Sequence, residues 1–463
     1  MWQRQTSGAL QADHARRRQQ VAPIVISSLM LRFASLALLV LIVLAPSAVN
    51  AQLVVDCSGS NPAVYPTINA ALAAISGPGA TVLVSGVCVE DVGLVNQTNL
   101  RLGAWWGTTA TLHGHLSVDN SESVYLYGLN VTNLSGNGID ISSSHGVTLD
   151  TVTSSANSAE GLALGQASEA SVIGPSAFDN NESYGIDLFT NSMLTFGTWN
   201  GFPVEVNNNK NAGIWVSQAS FTTFGSTNII GNSSPVAGTL VFGVMQFGGS
   251  RVQIGTCTGP NLIEQNQSGG ISTQENSEVT LWSCNAGFRS TVQNNGPVGI
   301  STGLGSQVTI ADDVDITGHA GPGLDIYSNS QLHFFGKNLV SQNGVTADPR
   351  SAGIRLDGNS QALMRGGLIS SNLGVGILAL VNSSVDFSGV TITGNSGGVI
   401  SCDSSAYMVS DIRSNGLAPG VVCRTPHNFG PRHFVPWKSG APDFTPLKKQ
   451  QALYKSVATP KTH

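Results

Sequence analysis

Residues 323–334 read Gly-Leu-Asp-Ile-Tyr-Ser-Asn-Ser-Gln-Leu-His-Phe. Three features in this stretch recur along the chain. Gly323 is followed by an alternating pair, Leu324 and Ile326. Ser330 stands seven residues after the glycine. Leu332 and Phe334 then form a second alternating pair. Gly353-Ile354-Arg355-Leu356 opens the next copy, and Gly138-Ile139-Asp140-Ile141, Gly185-Ile186-Asp187-Leu188 and Gly213-Ile214-Trp215-Val216 open earlier ones. The anchoring glycines are 138, 161, 185, 213, 243, 270, 299, 323, 353, 376 and 398, spaced 22 to 30 apart, with Gly420 a weaker last one. His115 takes the same slot in an earlier copy. The serine recurs at 168, 192, 220, 250, 277, 306, 330, 360, 383 and 405, but His145 stands at its place in the 138 copy. Asn157, Asn181, Asn209, Asn266, Asn295 and Asn372 each precede a glycine by four residues.

Alternate apolar positions place one face of a short strand inward. A third short segment, such as Val390-Thr391-Ile392-Thr393, completes each copy. No copy can bury its apolar face alone, so copies must stack. Three short strands per copy define the coil of a single-stranded right-handed parallel β-helix. About 12 to 13 coils at roughly 4.8 Å each make a rod about 60 Å long. Equivalent Asn and Ser residues are expected to stack as hydrogen-bonded ladders at the turns.

The 463 residues include 54 glycines, only 10% are charged and 41% are hydrophobic, which suits many short strands and tight turns. Residues 52–423 hold 9 Lys+Arg against 25 Asp+Glu, whereas residues 424–463 hold 7 against 1. An acidic body lacks the basic footprint that nucleic acid requires. It also opposes direct grip on a polyanionic glycan unless a cation intervenes. No repeated calcium motif and no CxxC pair is present, so no cofactor or metal site is expected, and calcium lacks a supporting motif.

Four regions follow. Residues 1–51 carry the apolar run Leu36 to Leu44, preceded by Arg32 and followed by Ala48-Val49-Asn50-Ala51. Initiation at Met30 makes this a cleaved signal peptide. Initiation at Met1, with Arg16, Arg17 and Arg18, leaves a signal anchor as the only membrane association. Residues 52–79 form an N-terminal cap. Within it Pro66, then Ile68, Leu72 and Ile75 on one face, then Gly77, predict a short helix. Residues 80–423 form the coils. Residues 424–463 form a basic, Pro-rich tail. The expected product is a secreted or cell-surface monomer. Its six cysteines are expected to pair in sequence order: Cys57 with Cys88, Cys257 with Cys284, and Cys402 with Cys423.

The coil pattern over roughly 80–423 resembles the pectate-lyase-like β-helix superfamily. Thr67–Ile75 and the following Thr81–Glu90 are similar to that superfamily's N-terminal cap and first coil. Gly86 and Glu90 match its Gly-x-Tyr-x-Glu element, with Cys88 in place of the aromatic. The resemblance implies the fold but spans lyases, glycosidases, esterases, epimerases and non-catalytic surface proteins. Asp312-Asp313 and Gly318-His319 resemble polygalacturonase elements, but they lie in one coil and read as turn residues. Asp348-Pro349-Arg350 is a still weaker likeness to an epimerase motif.

The candidate site is the outward row two residues after each glycine: Asp140, Ala163, Asp187, Trp215, Met245, Ser272, Ser301, Asp325, Arg355 and Leu378. These residues are expected on one exposed sheet face. Asp140 and Asp187, two coils and so about 9 to 10 Å apart, form a candidate carboxylate pair at the upper end of inverting separations. Trp215, Asp325, Arg355 and Trp199 are candidate substrate contacts. The coils from 185, 213, 243 and 270 are long, 27 to 30 residues, which predicts inserted loops walling the glycine strand. Trp199, Phe202, Glu205 and Lys210 lie in that wall. The expected activity is glycan or surface binding; the alternative is a polysaccharide lyase or glycosidase.

Overall fold

The computed structural model describes residues 52–410, apart from 62–63, 107, 109, 198–201, 258, 284–286 and 346–349. It is a right-handed parallel β-helix. The strands after each glycine form one 13-stranded sheet, the glycine sheet, whose members pair only with the equivalent strands one coil before and after. The strands after each serine form the serine sheet, and the third segments form an 8-stranded sheet. Thr81–Val89 runs without a break past the first corner. It pairs with Arg101–Ala104 before the corner and Ala110–His113 after it, which joins the earliest third-segment strands to the serine sheet. All strand pairs are parallel, and register is fixed coil by coil, as in Leu162↔Ile186 and Ile186↔Ile214.

The inward residues stack into one continuous core. Ile139, Leu162, Ile186, Ile214, Val244, Ile271, Ile300, Leu324, Ile354 and Ile377 are all completely buried. Two ladders flank this core. The asparagine ladder runs from Asn133 through 157, 181, 209, 232, 266 and 295 to His319, then 343, 372 and 395. Each member accepts the preceding member's main-chain N–H, at 2.7–3.2 Å. It supplies partners for turn backbone that would otherwise be buried unpaired. His319 serves as one rung through Nδ1, and its Nε2 meets the Val292 carbonyl at 3.1 Å. Burial holds this imidazole neutral, with its pKa lowered to about 4. It is a ladder residue, as its position implied.

The ladder explains the anchoring glycines. A Cβ on Gly213 would lie 2.5 Å from Ile229 Cγ2, 2.7 Å from the Gly243 carbonyl oxygen and 2.9 Å from Asn232 Nδ2. The ladder side chain and the next coil occupy that space, so only glycine fits. The serine ladder has the same logic, with Ser144 Oγ accepting from Ser121 N–H at 3.0 Å and Ser168 Oγ from Ser144 N–H at 3.2 Å. The 138 copy therefore keeps its serine, one place earlier than the spacing predicts. Ser144 is the buried rung, and His145 is displaced to the outside of the turn.

A short helix precedes the first full coil. The helix Ile68–Ala73 is capped by Thr67, whose hydroxyl accepts from Ala70 N–H. Glu90 completes this end: its two carboxylate oxygens accept from Ile68 and Asn69 N–H at 2.7 and 3.1 Å. Ile68 is buried, and Leu72 and Ile75 pack on the core. The Cys57–Cys88 disulfide ties strand Gln52–Asp56 to Thr81–Val89, its neighbour in the sheet. Cys257 and Cys402 are also disulfide-bonded. Their expected partners Cys284 and Cys423, the leader 1–51 and the tail 424–463 lie outside the described residues.

Candidate functional site

The outward row of the glycine sheet has the predicted register. Asp140 pairs with Ala163, Ala163 with Asp187, Asp187 with Trp215 and Trp215 with Met245. The row continues through Ser272, Ser301, Asp325 and Arg355 to Leu378. It is not the open face the alternation predicts. Ala163, Met245, Ser272, Ser301, Asp325 and Leu378 are buried even though they point away from the core. Short row residues sit between longer neighbours: Tyr327 crosses Gly303, and its hydroxyl accepts from Gln274 Nε2 at 2.7 Å. Phe242 likewise lies against Gly269. Alternation reports which way a side chain points, not how tall its neighbours are.

The two candidate carboxylates stand in different surroundings. Asp140 is engaged at both oxygens. Asn137 Nδ2 donates to Oδ1 at 2.8 Å, and His115 Nε2 lies 2.8 Å from Oδ2. The hydrogen bond to Asp140, with its charge and those of Asp91 and Asp119, raises the His115 pKa against the opposing effect of burial. Asp187 has no such partner. Its Oδ1 is sealed from solvent and makes no hydrogen bond. Burial, with repulsion from Glu160, raises its pKa to about 7. Removal from water disfavours the charged form when no donor compensates.

The apolar wall beside Asp187 is an aromatic cluster on the outside of the coil. Trp215 lies between Tyr184 and Phe247, with ring centroids at 5.1 and 4.9 Å, and Ala212, Phe242, Met245 and Val298 pack with them. Both faces of Trp215 are thus taken by protein rings. It does not offer the free stacking face expected of it; the cluster presents an apolar floor instead. Farther along the row, Asp325 and Arg355 form a bidentate pair at 2.7 and 2.6 Å. Their charges are already matched to each other.

The inserted loops do not form one wall. In the coils from 185, 243 and 270 the extra residues fall between the serine-sheet strand and the third strand, at 198–203, 256–260 and 283–289. In the coils from 213 and 323 they fall between the ladder asparagine and the next glycine, at 233–242 and 344–352. Only the latter two border the glycine sheet. The count of residues between glycines cannot say which corner was lengthened. Phe202 belongs to the far corner. Glu205 is held on the third sheet by Asn207 and Asn228, and Lys210 pairs with Glu182. Trp199 lies outside the described residues, as do Asp348 and Pro349.

Asp312 and Asp313 are left-handed turn residues, at φ 52° and 54°. Asp312 accepts from Lys337 N–H, and Asp313 faces Arg289. Among the described residues, one group of side chains is close enough to share a metal: Cys57, Cys88 and Glu90. These are already committed to the disulfide and the helix cap. His115, Glu160, Tyr184 and Phe247 were missed by the sequence reading. Their signal was position: Glu160 and Tyr184 sit just before a glycine and Phe247 just after a strand, at the row's edges.

Residues 283–417 match the family model described as the right handed beta helix region. No curated protein sequence matches the chain. Among solved structures the chain is similar to pectate lyase Pel9A, at 12% identity, TM-score 0.33, covering 80% of this chain and 81% of that one. It is also similar to the Azotobacter vinelandii mannuronan C-5 epimerase AlgE6 A-module, at 14% identity, TM-score 0.34, covering 74% and 93%. A third is tailspike protein 2 of an Escherichia coli O157:H7 bacteriophage, at 13% identity, TM-score 0.39, covering 76% of this chain and 46% of that one. The likeness is one of fold.

Proposed function

We propose that this chain is an exported β-helix protein that binds a neutral glycan on the glycine sheet around Asp187 without cleaving it. One observation carries the reading: the half-buried Asp187 carboxyl, with one oxygen sealed and unpartnered, is set against an exterior aromatic cluster. Few convergent polar groups beside an apolar floor are the usual make-up of a ligand site. A neutral sugar presents hydroxyls to the carboxyl and C–H faces to the rings. The disulfides fit an oxidising compartment. The test is a glycan array together with a depolymerisation screen, each run with and without calcium. Retention on a neutral glycan, weakened at least tenfold by Asp187→Ala and with no product formed, is the expected result. No retention on any glycan defeats it.

The second reading is polysaccharide cleavage. It is favoured by the contrast between Asp187, whose pKa burial raises to about 7, and Asp140, hydrogen-bonded at both oxygens two coils away. One could donate a proton to a leaving oxygen while the other activates water. New reducing ends, absent in Asp187→Ala, would replace binding by catalysis.

A further inference from the structure

A second group of side chains lies on a different sheet. At the N-terminal end of the serine sheet, Arg101 pairs with Tyr125, and Gly103 with Tyr127. Both tyrosines point outward and are half-buried. The Arg101 guanidinium sits 4.8 Å from the centre of the Tyr125 ring. The Tyr125 hydroxyl donates to the Asp150 carboxylate. The Tyr127 ring lies across Gly103, where a Cβ would come within 2.5 Å of it, and the two tyrosine rings are 5.7 Å apart. The strand then runs out into a turn that exposes Trp105 by 38% and Trp106 by 88%. Thr108 holds this turn, donating to the Trp105 carbonyl from its N–H and its hydroxyl at 3.0 and 2.8 Å.

Exposed tryptophan is costly to leave in water, and here two directly follow the strand that carries Arg101 and Gly103. Beside the rings are polar groups of both signs. Arg101 makes no ion pair among the described residues, whereas Lys210, Arg251, Arg289, Arg355 and Arg365 each have a carboxylate. Residues 52–209 hold thirteen Asp+Glu and one Lys or Arg, Arg101 itself. That local charge repels a polyanionic chain and an anionic lipid surface. A neutral sugar escapes the repulsion. Its C–H face suits an aromatic plane, and its hydroxyls suit a guanidinium donor and a carboxylate acceptor side by side.

We infer that Arg101, Tyr125, Tyr127, Asp150, Trp105 and Trp106 form a second carbohydrate site, which takes a neutral hexopyranose unit independently of the glycine-sheet site. It has a different sheet and different residues, so the two can fail separately.

The experiment measures binding of the full chain to soluble β-glucan, galactomannan and xyloglucan by affinity electrophoresis and calorimetry. Polygalacturonate and phosphatidylserine vesicles serve as anionic probes. Trp106→Ala alters a residue that packs on little, so folding is retained. The expected result is about tenfold weaker binding to at least one neutral polymer in Trp106→Ala and in Arg101→Ala, with Trp215→Ala keeping this component. Tyr125→Phe, which keeps the ring and frees Asp150, should change affinity less than Arg101→Ala. Unaltered binding in both Trp106→Ala and Arg101→Ala overturns the second site while leaving the first. Binding to the anionic probes alone overturns it also, as does binding to none of the polymers.

Discussion

Asp187 is a carboxyl whose folded environment favours the proton. Its pKa is raised to about 7 by burial and by Glu160. The unfolded chain releases that proton near pH 4. Between these values the native state binds more protons than the unfolded one, so stability falls as pH rises. Above the folded pKa the penalty is complete and constant. Asp187→Asn removes it. The variant should match the parent at pH 4 and exceed it at pH 8 by on the order of 3 kcal/mol. Denaturant midpoints at the two pH values measure this; equal midpoints at pH 8 would mean that Asp187 is hydrated and ordinary. His115 moves stability in the same direction, over a higher pH window. Its raised pKa contributes stability below about pH 6.5 that fades as pH climbs through the folded value. His115 must therefore be intact in both proteins compared.

At the scale of the element, each turn of the coil couples a glycine to an asparagine. Asn232 accepts from Asn209 N–H and Nδ2 and donates to Val206 and Asn266, all without leaving the interior. Asn232→Ala leaves several of these groups buried and unpaired, at about 1–3 kcal/mol each. Gly213→Ala pushes a methyl into Ile229, the Gly243 carbonyl and Asn232, and overpacking of this kind costs about 1–3 kcal/mol. Both losses should appear in hydrogen exchange as faster opening of the coils that start at 213 and 243, with coils near 138 and 353 unaffected. Wild-type protection throughout the Gly213→Ala chain would show that the space is not filled. The ladder itself was half-visible in the sequence. Six asparagine rungs and His319 stand four residues before a glycine, but Asn232 and Asn343 precede theirs by eleven and ten, because inserted residues follow them. Their identity as rungs depends on hydrogen bonds to neighbouring coils, which spacing does not report.

At the scale of the molecule, each coil's strands pair only with those of its neighbours, so damage at one end stays local. The Cys57–Cys88 bond spans 31 residues at the first rung. A closed loop of that length contributes about 3–4 kcal/mol by chain entropy. Cys57→Ser with Cys88→Ser should free strand Gln52–Asp56 and the helix to limited proteolysis, while strands from Tyr125 onward remain resistant. Cleavage spread evenly through the coils would show that this end nucleates the whole rod.

The sequence by itself determined the coil, its phase and its outward row. These depend on local alternation and on a glycine that leaves room for its neighbour, and both are written in the copies from Gly138 onward. Tertiary structure decided the rest. Which row residues are covered depends on the height of side chains from other coils, so Asp325 is buried beside Arg355 and Trp215 is sandwiched between Tyr184 and Phe247. Which corner takes an insertion depends on where pairing resumes. Which carboxylate finds a partner depends on side chains brought from a neighbouring coil: His115 reaches Asp140, and no donor reaches the sealed oxygen of Asp187. Stacking brings together residues some 25 positions apart in the chain, and it is at that distance that the candidate site acquires its chemistry.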